Sequence, residues 1–171
     1  NFIADHVKGE EINKYSERII AGIRMHRAVD EFTDNHPIVK LSIARLRPKF
    51  RKYSGVIIDM FYDHFLSADW DQYCRIDMDT FTALRFEILL SNAEIMPHRA
   101  QYLLPFMIKN NWLKMYGTIE GLDRALTGMS KRTNFASQLE IASSELEKHY
   151  GRFKSEFEEF WPELIDFTKR K

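Results

Sequence analysis

The chain has 171 residues, 44% of them apolar and 29% charged, which suits one domain with a substantial core. Its 25 basic and 25 acidic residues cancel, so no global field argues for nucleic acid or membrane, and electrostatic recognition has to be local. The one cysteine, Cys74, excludes a disulfide framework; no apolar run approaches the roughly 20 residues of a membrane span, and a cytoplasmic setting is expected.

Glycine and proline are scarce, at seven and five copies, and capped segments of 3.6-residue period follow one another. The expected fold is all-α: a single compact bundle of about eight helices spanning residues 1–171 as one domain. The opening stretch to Gly9 reads as a helix end with Asp5 among apolar neighbours. Ser16 fits the N-cap of a helix running to about Thr33, with Ile19 and Ile23 on its apolar stripe. His26 and Asp30 fall inside that stripe, within about 20° of Ile19, which is an unusual place for two polar groups. Pro37 breaks the chain after Asp34.

From Lys40 to Lys52 the chain carries six cations and no acid, and Pro48 is expected to kink or end the helix there. Gly55 to Leu66 follows, capped by Ser54, apolar at nearly every angle and so expected at the centre of the domain. It nonetheless contains Asp59, Asp63 and His64, and buried carboxylates require compensation. Asp79 or Thr80 is expected to cap a helix reaching Met96. Pro97 starts another, interrupted at Pro105, and Thr118 to Leu126 forms a short one. One or two helices are expected between Asn134 and Phe167, with Gly151 and Pro162 as break points.

Asp5, His26, Asp30, Asp59, Asp63 and His64 come from three separate segments, each set among apolar residues. Mixed carboxylate and imidazole groups suit a divalent cation, and the i, i+4 spacing of His26/Asp30 and Asp59/Asp63 puts each pair on one helical face. The competing reading is neutralisation by Arg24 or Arg27 in buried ion pairs. On the central helix, Asp63 lies about 40° from Asp59 and about 100° from His64, so one ion cannot readily hold all three.

Phe2 to Gly9, Gly22 to Asp30 with Thr33-Asp34, and Asp59 to Leu66 together resemble the acyl carrier protein phosphodiesterases. Asn111-Trp112-Leu113 with Tyr116, and Gly128 to Arg132, also look like that family. The resemblance implies a helical fold distantly similar to HD-type metal phosphohydrolases, hence HD-domain-like. It further implies hydrolytic removal of 4′-phosphopantetheine from the serine of holo acyl carrier protein, with Mn²⁺ or Mg²⁺. The family begins with a further segment bearing an Asn-x-Leu-Ala-His-Leu-like motif; without it, a candidate histidine ligand and part of a core helix would be missing.

On that reading, Asp5, His26, Asp30, Asp63 and His64 are the expected metal ligands or their immediate neighbours. Asp59 is the expected general base, and Arg27 the expected phosphate partner, a salt bridge to Asp30 or Asp34 being its alternative. Arg45, Arg47, Lys49, Arg51 and Lys52 would steer the acidic carrier protein, or else form a plain solvated face. Two other functions stay open: hydrolysis of a nucleotide or other small phosphoester, and a non-catalytic all-α module that binds carrier protein.

Overall fold

The computed structural model describes residues 2–133 and 136–171. After a 3-10 turn at Ala4–His6 and a second at Gly9–Lys14, where Gly9 takes φ +50, come ten α-helices among the described residues. They are α1 (Glu17–Asn35), α2 (Pro37–Phe50), α3 (Ser54–Ala68), α4 (Trp70–Tyr73), α5 (Met78–Ser91), α6 (His98–Lys109), α7 (Trp112–Met115), α8 (Ile119–Ser130), α9 (Ala142–Lys148) and α10 (Tyr150–Lys169). The all-α expectation holds. The count exceeds eight because α4 and α7 are four-residue turns, too short to show a period. No helix among the described residues is long and apolar enough to cross a membrane.

Three prolines expected to kink or break helices do not end them: Pro48 lies inside α2, Pro105 inside α6 and Pro162 inside α10. All three are solvent-exposed, so water can satisfy the carbonyls their missing N–H groups leave free. Two caps also differ. Asp77, not Asp79 or Thr80, caps α5 by accepting from the Thr80 N–H at 2.9 Å. Ser54 begins α3, with its hydroxyl donating to the Arg51 carbonyl at 2.8 Å. Asn134, where the last helical stretch was expected to begin, lies outside the described residues.

The main core is built around α3, as its composition implies. Ile57, Ile58, Phe61 and Phe65 are fully buried against Leu46 and Phe50 of α2, Leu122 and Leu126 of α8, and Phe153 and Phe157 of α10. Each such side chain contributes roughly 1.5–3 kcal/mol by leaving water. A second apolar cluster joins Ile3, Ala4 and Val7 to Ile23 of α1, Phe86 of α5, and Leu104 and Met107 of α6. Helix α1 bridges the two, with Ile23 in the second cluster and Phe32 packed on the first. The candidate site lies along this bridging helix.

Candidate active site

A cleft of about 560 Å³ is walled by the Asp5 turn, α1, α3 and α10. From α1 it receives His26, Asp30, Thr33 and Asp34, and from α3 Asp59, Tyr62, Asp63 and Leu66. The opposite wall is apolar, made by Phe157, Phe160, Trp161 and Leu164 of α10. His26, Asp30 and Asp34 form an i, i+4, i+8 ladder, so helical periodicity alone brings them to one face.

His26 is the hub of one group. Its Nε2 is 3.2 Å from Asp5 Oδ1 and 3.2 Å from Asp30 Oδ2. A single ring nitrogen carries at most one proton, so the two carboxylates compete for or share one donor. Among the described residues, Asp5, His26 and Asp30 form the group whose ligand atoms all converge closely enough to hold one metal ion. Burial raises the Asp30 pKa; His26 partly offsets this, while Asp5 and Asp34 add to it.

Asp59 and Asp63 occupy the cleft floor, one helical turn apart. The helix that carries them is buried as expected, yet their carboxylates reach cleft solvent. Neither makes an ion pair or hydrogen bond among the described residues, so no arginine or lysine offsets them. Burial, then repulsion from Asp34 and Asp30, pushes Asp59 up to about 6. Burial, then Asp59, pushes Asp63 up to about 7. Asp63 lines the same cleft as the expected ligand group but lies outside it.

His64 is placed elsewhere, which corrects its expected role. It is only 2% exposed, its Nδ1 donates to the Tyr116 carbonyl at 2.8 Å, and its Nε2 lies 3.1 Å from the Tyr150 hydroxyl. Both nitrogens are engaged within the protein, and the 100° step from Asp63 turns the ring away from the cleft. Burial lowers its pKa, against the pull of the Tyr116 carbonyl, so the neutral ring is favoured.

Arg27 is also not a cleft residue. Its Nη2 donates to the Val7 carbonyl at 2.7 Å, tying the N-terminal turn to α1 in place of either expected partner. In the basic run, Arg45 is held in a two-armed pair with Glu156 and lies over the Phe153 ring. Lys49 donates to Glu145 at 2.7 Å. These two cations are committed to the fold. Arg47, Arg51 and Lys52 remain exposed.

Sequence reasoning did not single out Thr33, Asp34, Tyr62 or the α10 wall as site residues. Asp34 had a signal, since it continues the His26/Asp30 spacing by one more turn. The α10 residues had none, because their approach to α3 is a long-range contact.

A sequence model of the family described as "Acyl carrier protein phosphodiesterase" matches residues 1–164. The chain belongs to the acyl carrier protein phosphodiesterase family. Relatives named "Acyl carrier protein phosphodiesterase" include one from Photorhabdus laumondii, 32% identical over 177 residues, which covers 100% of this chain and 87% of the relative. Others from Serratia proteamaculans and Klebsiella pneumoniae are 29% and 30% identical over 172 residues, covering 100% of this chain and 89% of each. No solved structure matches this chain.

Proposed function

We propose that this family member is a divalent-cation-dependent phosphodiesterase that releases 4′-phosphopantetheine from the serine of holo acyl carrier protein. Family membership supports the substrate, and one observation supports the cation. The cleft is lined by Asp5, Asp30, Asp34, Asp59 and Asp63 with no lysine or arginine. A phosphodiester is an anion, and two like charges about 4 Å apart repel by about 4 kcal/mol at an effective dielectric near 20. Several carboxylates facing one phosphate make binding untenable unless a cation stands between them.

Asp5, His26 and Asp30 are the residues that would hold it. Two carboxylate oxygens and an imidazole nitrogen already converge, and this mixed donor set suits Mn²⁺, or Mg²⁺ through the oxygens. When bound, such an ion supplies charge neutralisation at the phosphate and Lewis acidity. The protein's own groups handle the protons. Asp59, on the cleft floor and not in the His26 group, is positioned to orient the attacking water and take its proton. The water oxygen bonds to phosphorus, the bond from phosphorus to the serine oxygen breaks, and that oxygen is protonated. The products are apo carrier protein and 4′-phosphopantetheine.

Arg47 and Arg51 carry the carrier-docking role, with Arg45 and Lys49 removed from it by their internal pairs. A cytoplasmic setting goes with this reading. The test is incubation with holo acyl carrier protein and Mn²⁺, read by mass spectrometry. Loss of the prosthetic group's mass, abolished by chelator, is expected; an unchanged mass with Mn²⁺ present overturns the proposal.

A further inference from the structure

A second pocket of about 60 Å³ adjoins the cleft, with Asp63 and Leu66 belonging to both linings. The rest of its wall is Ser67, Trp70, Met78, Phe81, Leu113 and Tyr116, contributed by α3, α4, α5, α7 and the turn that follows α7. Its size limits what can enter: it is far smaller than the cleft and suits a compact branched group of a few heavy atoms. A fatty acyl chain or a whole prosthetic arm does not fit.

Its polar atoms are mostly committed. The Ser67 hydroxyl donates to the Leu113 carbonyl at 2.7 Å, and Trp70 Nε1 donates to the Ile76 carbonyl at 2.8 Å. The Tyr116 hydroxyl has no hydrogen-bond partner among the described residues. Burial, then the charge of Asp63, pushes its pKa up to about 12, with Arg132 working the other way, so the phenol stays a donor.

The fold holds this phenol firmly. His64 donates to the Tyr116 backbone carbonyl and is itself met by the Tyr150 hydroxyl. A Cβ on Gly117 would come within 3.3 Å of the Ser67 backbone, and one on Gly121 within 1.8 Å of the Met115 carbonyl. Gly121 leaves no room for a Cβ, and one on Gly117 would require its neighbours to shift, so the 112–118 turn sits close to both α3 and α8. The buried histidine and the close-packed glycines thus fix the backbone from which the Tyr116 ring projects.

In the substrate proposed above, the phosphoester oxygen is followed by a methylene, a carbon bearing two methyls, and a carbon bearing a hydroxyl. We propose that the pocket seats the two methyls and that the Tyr116 hydroxyl bonds the neighbouring hydroxyl of the arm, making Leu113 and Tyr116 specificity residues. This rests on the phosphodiesterase reading. It adds that the enzyme recognises the first branched segment of the arm, beside the bond it cleaves.

The test uses carrier protein loaded with three arms: natural, one with the two methyls replaced by hydrogens, and one lacking the hydroxyl. Release is followed by mass. The wild type is expected to favour the natural arm by about tenfold in kcat/KM over each analogue. Leu113→Phe and Met78→Phe, which fill the pocket, are expected to erase the methyl preference. Tyr116→Phe is expected to erase only the hydroxyl preference. Because each readout is a ratio within one enzyme preparation, a partly unfolded variant does not mimic it. Equal rates for all three arms in the wild type, or full discrimination retained in both filled variants, would overturn the inference while leaving the phosphodiesterase reading intact. No release from the natural arm would overturn the parent reading, and this inference with it.

Discussion

Two clusters of charge lie on either side of Tyr62, and they are built on opposite principles. On the α2–α10 side, Glu156 is met by both arms of Arg45, by the Ser42 hydroxyl and, through Ser42, by the Tyr62 hydroxyl. Burial works to raise its pKa, but the Arg45 and Ser42 hydrogen bonds prevail and hold it below the usual range. On the α1–α3 side, Asp59 and Asp63 have no such partners and are pushed up toward neutrality. The same chain can satisfy a half-buried carboxylate and does so where only the fold is at stake. Where it does not, the cation proposed above would supply the missing counter-charge.

The largest expected effect falls on the cleft side. Asp30→Ala or His26→Ala should lower release of the prosthetic group by about a thousandfold, about 4 kcal/mol of transition-state stabilisation, with little change in urea midpoint. Equal loss of activity and stability would place these residues with Glu156 as structural groups. Next comes the paired side. Arg45→Met strips Glu156 of its two-armed partner, leaving it only Ser42 and the more distant Arg152, and should cost about 2 kcal/mol in urea unfolding. A cost under 1 kcal/mol would show that the Arg45 pair is no better than a surface salt bridge.

The backbone period made much of this contrast legible in the sequence. The His26/Asp30 and Asp59/Asp63 pairs followed from i, i+4 spacing, and the centrality of α3 followed from its all-round apolar surface. His64 was misread because chemistry suggested a ligand where geometry, a 100° step from Asp63, already turned it away. The pairing of Arg45 with Glu156 was not legible, because 111 positions separate them and no local rule connects α2 with α10. His36 sits at the cap between α1 and α2, where Phe32 and Phe160 close over its ring and leave it 5% exposed, a long-range packing that was likewise not legible.

A smaller effect sharpens the comparison through pH. Asp63 titrates near 3.8 when unfolded and near 7 when folded, so its protonated form favours the folded state. Without divalent cation, the contribution of Asp63 should be full below about pH 4 and be lost as pH rises through 7, against the opposite trend from Glu156 at acid pH. Asp63→Asn should flatten that slope and gain about 1 kcal/mol at pH 7, the modest size reflecting cleft water that screens the charge. A steeper slope in the variant would contradict the assignment. The smallest effect is at the docking face: Arg47→Glu should raise KM for the carrier by about threefold at low salt, with the difference vanishing near 1 M salt. A change in kcat instead would remove Arg47 from docking.

On the reading proposed here, a divalent cation held by Asp5, His26 and Asp30 completes the acidic cleft. Equilibrium dialysis of the metal-stripped protein against Mn²⁺ tests it most directly. At least one Mn²⁺ per chain is expected in the wild type, with loss of the bound ion in Asp30→Asn and no loss in Arg45→Met. A wild-type protein that binds no Mn²⁺ or Mg²⁺ and still releases the prosthetic group would contradict it.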